Sequence, residues 1–159
     1  MNWWRISRCC AGKLAGPSVE MLVLDANILV RAVLGRRVRT ILTTYGNTAE
    51  FFAPDAAFAE AREHLPKVLA KRRTPVEPGL ALLESLAEVI QAVDLETYAV
   101  FEEAARKRLL GRDPDDWPVL ATALVLNCPI WTEDTDFFGV GVATWTTDRV
   151  ELFLEGRTR

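Results

Sequence analysis

Hydrophobic and polar positions along the chain predict short apolar strands that alternate with amphipathic helices. Five apolar runs predict strands, at 21–24, 51–53, 89–93, 130–132 and 142–145. Between and after them, apolar residues recur at helical spacing, at 26–34, 36–45, 55–73, 80–87, 95–109, 119–126 and 148–154. Strands that alternate with helices are typical of an α/β domain with a largely parallel sheet. We therefore expect an α/β fold.

Residues 1–20 show neither the helical nor the strand period, and the first predicted strand begins abruptly at Met21. Arg5 and Arg8 precede only a short stretch interrupted by glycine, which lacks the apolar region of roughly 7 to 15 residues found in signal peptides. We expect residues 1–20 to be an extension outside the core fold, and residues 21–159 to form a single domain.

Acidic residues follow two of the predicted strands. Asp25 comes directly after the first strand, and Asp134 and Asp136 follow the strand at 130–132. Open α/β sheets bind their ligands outside the carboxyl ends of the strands, near the point where the strand order reverses. These carboxylates are therefore candidates for a functional site.

Two more carboxylates lie on or beside predicted helices. Pro118 cannot lie deep within a helix without loss of a backbone hydrogen bond, so the apolar helix near the C-terminus must begin close to Asp116. Glu60 lies in an apolar part of the third helix, a setting that a carboxylate avoids without a partner. Both residues join the candidate set.

Each acidic residue also has a purely structural interpretation. Asp25 can cap the helix that follows it. Asp113, Asp115 and Asp136 can be ordinary loop residues, because turns before helices are rich in aspartate. Glu60 can face solvent at the edge of its helix. The functional interpretation therefore depends on whether the carboxylates converge.

Convergence of Asp25, Glu60, Asp116 and Asp134 would require a cation. Two carboxylates about 5 Å apart repel by roughly 3 kcal/mol at an effective dielectric constant near 20. With His64 as the single histidine, a zinc site of clustered His and Cys is a poor match, and oxygen ligands suit Mg²⁺ or Mn²⁺ instead. The chemistry that such ions typically support is phosphodiester hydrolysis.

The composition fits one compact domain inside a cell. The chain has 159 residues, of which 50% are hydrophobic and 26% charged, and this excludes a disordered chain. No apolar run reaches the roughly 18 residues that span a bilayer. The three cysteines, two of them adjacent, do not form a secreted disulfide framework, so we expect a reducing, cytoplasmic setting and no membrane partner. The net charge of −3 argues against nucleic acid only if the carboxylates carry no cation.

The chain from Met21 to about Leu154 resembles the PIN (PilT N-terminal) domain family of metal-dependent ribonucleases, which includes VapC-type toxins. Four segments carry the resemblance: LDANILV at 24–30, FAEAREHL at 58–65, DDWPVLATAL at 115–124 and IWTEDTDF at 130–137. Trp117 and Pro118 replace the small residues that are usual in the third motif.

The resemblance implies a three-layer α/β/α fold with a short, mostly parallel sheet, and a Mg²⁺- or Mn²⁺-dependent endoribonuclease. It also implies a homodimer and, for a toxin, an antitoxin protein as partner, with RNA as substrate. The implied catalytic and metal-binding residues are carboxylates at the matching motif positions: Asp25, Glu60, Asp116 and Asp134, with Asp136 as a further metal ligand. Asn27 and Thr132 would orient these carboxylates, and Glu63 is an alternative to Glu60 because it lies one turn away on nearly the same helix face.

Basic residues near the carboxylates are candidates for contacts with phosphate groups. Arg36, Arg37 and Arg112 are nearest to them in sequence, although a solvated helix face explains such clusters equally well. Two other functions stay open. One is a non-catalytic module that binds a basic partner segment, and the other is a structure-specific DNA nuclease with the same chemistry.

Overall fold

The computed structural model describes residues 19–156. The expectation that residues 1–20 lie outside the core fold falls almost entirely outside this range. Glu20 is described and is the first residue of the first strand, one residue before the predicted start at Met21. Within residues 19–156, no helix combines the length and apolar character needed to cross a membrane.

Five strands and eight α-helices alternate along the described chain. The strands are β1 (Glu20–Leu24), β2 (Ala49–Pro54), β3 (Ile90–Val93), β4 (Ile130–Trp131) and β5 (Thr144–Trp145). The helices are α1 (Ala26–Leu34), α2 (Arg37–Tyr45), α3 (Asp55–Lys71), α4 (Val76–Ser85), α5 (Leu95–Tyr98), α6 (Glu102–Arg108), α7 (Trp117–Leu126) and α8 (Val150–Leu154). Short 3₁₀ turns at 86–88, 99–101, 114–116 and 135–137 complete the regular structure.

The sheet has the strand order β3-β2-β1-β4-β5, and every pair of neighbouring strands is parallel. Helices α1 to α4 connect β1 to β3 in one direction along the sheet, and α5 to α7 return the chain to β4. Because parallel crossovers are right-handed, these two groups cover opposite faces of the sheet. The three-layer α/β/α fold is confirmed.

The strand order reverses at β1, whose neighbours are β2 and β4. Val23 pairs with Ile130 and Leu24 with Trp131, so β1 and β4 end side by side. In sheets of this kind the crevice beyond the two strand ends is where ligands bind. The chain places Asp25 immediately after β1 and the segment 132–136 immediately after β4.

The core fixes this crevice firmly. Leu22, Val23 and Leu24 of β1 and Trp131 of β4 are fully buried. Helix α7 has six buried residues among its ten and begins directly after Asp116. A rigid buried sheet and helix thus position three of the candidate acidic segments.

Two local predictions differ from the structure. Pro66 lies within the helix predicted at 55–73 and predicts a kink or break there, but α3 runs through it without a break, since the buried side chains of Leu65 and Leu69 hold both parts of the helix against the core. The segment predicted as one helix at 95–109 is divided into α5, a 3₁₀ turn and α6. Tyr98 is drawn inward at this division, and its hydroxyl donates a hydrogen bond to Asp55 Oδ1 at 2.6 Å.

Candidate metal centre

Asp25 is buried, with 5% of its surface exposed, and both of its carboxylate oxygens accept hydrogen bonds. Oδ1 accepts from the backbone N–H of Ala26 at 2.6 Å, which makes Asp25 the N-cap of α1. Oδ2 accepts from Asn27 Nδ2 at 2.6 Å and from the Thr132 hydroxyl at 2.8 Å. The Asp25 carboxylate therefore both caps α1 and belongs to the candidate site. Asn27 and Thr132, the two residues predicted to orient it, both donate hydrogen bonds to it.

The loop after β4 places two carboxylates beside Asp25. The backbone N–H of Asp134 donates to Thr132 Oγ1 at 2.9 Å, and Asp134 Oδ1 accepts from the N–H of Asp136 at 2.9 Å. Asp134 thereby caps the 3₁₀ turn at 135–137. These bonds fix the backbone of the loop.

Asp116 completes a cluster with the two residues of this loop. One carboxylate oxygen from each of Asp116, Asp134 and Asp136 lies within 4.8 Å of the others. Asp136 Oδ2 also accepts from the backbone N–H of Asp113 at 3.3 Å, which joins the turn before α7 to the loop after β4. Asp116 Oδ2 is buried and has no hydrogen-bond partner.

Glu60 lies outside this cluster of three but acts on it electrostatically. It is exposed at the rim, and its charge raises the pKa of both Asp25 and Asp116. Partial burial of its carboxylate raises the pKa of Glu60 itself, the neighbouring His64 opposes this effect, and the charges of Asp113 and Asp115 add to it. Glu63, the alternative to Glu60, pairs instead with Lys67 at 3.3 Å on the exposed side of α3.

Two of these carboxylates, Asp25 and Asp116, have strongly raised pKa values. Burial, with the charges of Glu60 and Asp134, raises the pKa of Asp25 from 3.8 to about 6. Burial, with the charges of Asp25 and Asp134 foremost, raises the pKa of Asp116 from 3.8 to about 7. Both directions mean that the site disfavours several negative charges together when no cation is near.

A hard divalent cation fits the residues present. The cluster offers only oxygen donors, which Mg²⁺ and Mn²⁺ prefer. A cation could bind the unpartnered Asp116 Oδ2 as one of its ligands, and its charge would offset the repulsion that raises the pKa of Asp25 and Asp116. The geometry and the chemistry of the donors therefore agree on a candidate metal centre.

Comparison of the sequence with models of known protein families identifies the family of this chain. The sequence model of the PIN domain matches residues 23–155, which include all the acidic segments described above. The chain belongs to the PIN domain family. A search of curated protein sequences finds no match.

Solved structures share the fold of this PIN domain. VapBC2 from Rickettsia felis, bound to a DNA fragment from its promoter, has a TM-score of 0.63 and 14% identity, covering 79% of this chain and 98% of that chain. A toxin-antitoxin complex from Klebsiella pneumoniae has a TM-score of 0.55 and 19% identity, covering 79% and 97%. VapBC-1 from nontypeable Haemophilus influenzae has a TM-score of 0.55 and 17% identity, covering 81% and 99%. At these identities the likeness establishes the fold.

The PIN domain has a cleft of about 700 Å³ between α1 and α3, and Asn27, which donates to Asp25, lines it. Asn27 and Glu60 line it near the carboxylates, and aliphatic side chains of both helices form much of its remaining wall. Three arginines, Arg31, Arg37 and Arg72, line it together with His64 and with three carboxylates, Glu60, Glu133 and Asp148. The cleft therefore offers arginine side chains that can contact an anionic ligand.

The residues that α3 contributes to the cleft could have been predicted from their spacing in the sequence. Glu60, His64 and Val68 of α3 and Arg72, which caps its C-terminus, are spaced by four residues, so they lie along one stripe, and all four line the cleft. Of the sequence candidates, Arg37 lines the cleft and pairs with Glu151 at 2.5 Å, and Arg36 is exposed.

Arg112, the third arginine expected to contact phosphate, turns toward the protein. Its Nη1 donates hydrogen bonds to the backbone carbonyls of Asp136 and Phe138, the latter at 2.5 Å. It therefore contacts the backbone of the loop that carries Asp134 and Asp136, and it does not line the cleft.

Proposed function

We propose that this PIN domain is a Mg²⁺- or Mn²⁺-dependent endoribonuclease. The observation that supports it most is the convergence of Asp116, Asp134 and Asp136 within 4.8 Å, next to the buried Asp25. Without a cation, repulsion between neighbouring carboxylates destabilises the folded state, and clusters of this kind are concentrated at functional sites. Membership of the PIN family, together with the cleft and its arginines, favours a nucleic acid as the ligand.

The proposed ligands of the ion are Asp25, Glu60, Asp116 and Asp134, with Asp136 as a further one. When bound, Mg²⁺ or Mn²⁺ supplies positive charge beside the scissile phosphate and promotes the deprotonation of the attacking water. The chain contributes the fixed geometry. Hydrogen bonds from Asn27 and Thr132 hold the Asp25 carboxylate in one orientation, so no reorganisation is needed when the ion and the RNA bind.

The arginines of the cleft are proposed to hold the RNA backbone. Arg37, with Arg31 and Arg72, faces the space that leads to the carboxylates, and Arg36 adjoins it in sequence. Contacts of this kind position the strand without selecting a base sequence.

We further propose that the chain is the toxin of a toxin-antitoxin pair. The supporting observation is that structures with the same fold include VapBC2, VapBC-1 and a toxin-antitoxin complex, each covered almost completely. The proposed partners are an antitoxin protein and a second copy of the chain, in the cytoplasm. Static light scattering tests the homodimer, and coexpression with the product of a neighbouring open reading frame tests the antitoxin, which we expect to inhibit cleavage.

Single-turnover cleavage of labelled RNA in Mg²⁺ or Mn²⁺ tests the proposed activity. We expect cleavage by the full chain, its loss in EDTA, and a loss of at least about a hundredfold in Asp25→Asn, since one ligand and its charge are removed. Glu77→Gln is the matched control, because this carboxylate is exposed in the first turn of α4 and absent from the cluster. Undiminished cleavage by Asp25→Asn would contradict the proposal.

The same assay separates the alternative functions. Cleavage of structured DNA in preference to RNA would favour the DNA nuclease. Binding of Mn²⁺ without cleavage of either nucleic acid would favour a module that binds a basic partner segment.

A further inference from the structure

Little regular structure supports the loop that carries Asp134 and Asp136. Strand β4 has only two residues, and the 3₁₀ turn that follows it has three. Beyond this turn the chain continues irregularly through Gly139 and Gly141, both with positive φ. A loop of this kind needs other contacts to hold two carboxylates in a fixed geometry.

Two arginines from the end of α6 and the turn after it supply such contacts. Arg112 Nη1 donates to the carbonyl oxygens of Asp136 and Phe138, and Arg108 Nη1 donates to that of Val140 at 3.2 Å. The three carbonyls are two residues apart along the chain. A charged donor makes stronger hydrogen bonds than a neutral one, so this set fixes the backbone from 136 to 140.

The same helix also holds the turn that carries Asp116. Arg106 Nη1 donates to the carbonyl of Pro114 at 3.4 Å, and its guanidinium lies 5.1 Å from the ring centroid of Trp117. Trp117 in turn packs on the buried Tyr98, with ring centroids 5.5 Å apart. Both acidic segments of the cluster are therefore tied to one short stretch of chain, 106–112.

We infer that Arg112, assisted by Arg108, is a positioning residue for the metal centre. It holds the carbonyls of the loop so that Asp134 and Asp136 meet Asp116 at ligand distance. This inference rests on the proposed function, because it assigns the residue a role toward the same ion. It gives Arg112 a role different from the phosphate contact expected from sequence, and the two roles predict different measurements.

Isothermal titration of the full chain with Mn²⁺ alone, in the absence of RNA, tests the inference. We expect Arg112→Met to bind Mn²⁺ about tenfold more weakly than the wild-type chain, a loss typical when an outer residue that orients a ligand is removed. Arg112→Lys should retain most of the affinity, since the ammonium group still donates to carbonyls. Arg73→Met is the matched control, with unchanged Mn²⁺ affinity, because Arg73 is exposed and does not line the cleft.

The outcomes are distinguishable from those of the proposed function. Wild-type affinity in Arg112→Met, with weaker RNA binding, would overturn the positioning role and support the phosphate contact. Absence of Mn²⁺ binding by the wild-type chain would overturn the proposed metal dependence and the inference with it. Cooperative thermal unfolding in the absence of metal verifies that Arg112→Met folds. If that variant does not fold, the same titration of Arg108→Met tests the inference, and we expect a smaller loss of Mn²⁺ affinity.

Discussion

Thr132 donates a hydrogen bond to Asp25 Oδ2 at 2.8 Å and, through the same oxygen, accepts one from the backbone N–H of Asp134 at 2.9 Å. One hydroxyl group therefore fixes the carboxylate at the end of β1 relative to the loop that follows β4. The bond from Thr132 also lowers the pKa of Asp25, in opposition to the larger effect of burial.

Thr132→Val removes both hydrogen bonds while it preserves the shape of the side chain. We expect cleavage of RNA to fall about tenfold. The acidic limb of the pH-rate profile should also move to higher pH, because the pKa of Asp25 rises when the stabilising donor is lost. Single-turnover rates between pH 5 and pH 8 measure both effects.

Thr40→Val is the control for this change, since its hydroxyl is exposed and donates to the Arg36 carbonyl within the N-terminal half of α2. We expect its profile to match that of the wild-type chain. A Thr132→Val protein with wild-type rate and an unmoved acidic limb would show that the hydroxyl does not orient Asp25.

The raised pKa values predict how the stability of the metal-free chain depends on pH. Asp25 and Asp116 have pKa values of about 6 and about 7 in the folded state, and 3.8 is their ordinary value. Between pH 4 and pH 7 the folded state therefore binds more protons than the unfolded state. The free energy of unfolding should fall as the pH rises through this window.

Urea denaturation in EDTA at several pH values measures this slope. In Asp116→Asn the slope should become shallower, and at pH 8 the metal-free variant should be more stable than the wild-type chain by about 1 to 2 kcal/mol. Addition of Mn²⁺ at pH 8 should stabilise the wild-type chain, because the ion binds only the folded state. Stability that rises with pH in EDTA would contradict the assignment of raised pKa values.

The fold and the candidate carboxylates were accessible from sequence because each depends on local pattern. Strand β1 is an apolar run, and the position of Asp25 directly after it follows from the local sequence alone. The position of Asp116 follows from Pro118, which limits where α7 can begin. Such features need no knowledge of distant contacts.

The features that sequence reasoning missed depend on tertiary contacts. A proline usually interrupts a helix, yet burial of Leu65 and Leu69 keeps α3 continuous through Pro66. The phosphate contact of Arg112 stays a prediction, but its hydrogen bonds to the carbonyls of a loop 24 residues away along the chain were not predicted from sequence. The partner of a long cationic side chain cannot be inferred from its neighbours in sequence.

Glu60 and Glu63 provide a matched pair for the fourth carboxylate. Glu60 lines the cleft and its charge acts on Asp25 and Asp116, whereas Glu63 pairs with Lys67 on the exposed side of α3. We expect Glu60→Gln to lose cleavage activity by about tenfold or more, and Glu63→Gln to retain it. Loss of activity in Glu63→Gln alone would reverse the assignment.

The cleft predicts a salt-dependent contact that a second matched pair isolates. Arg72 lines the cleft, whereas the next residue, Arg73, is exposed and does not. In an Asp25→Asn background, which preserves the RNA, we expect Arg72→Gln to weaken RNA binding and to reduce the slope of log affinity against log salt concentration by about 1. Arg73→Gln is the control, because it removes the same charge one residue away. An equal change of slope in Arg72→Gln and Arg73→Gln would indicate a diffuse electrostatic effect. No change of slope in either variant would place the RNA outside the cleft.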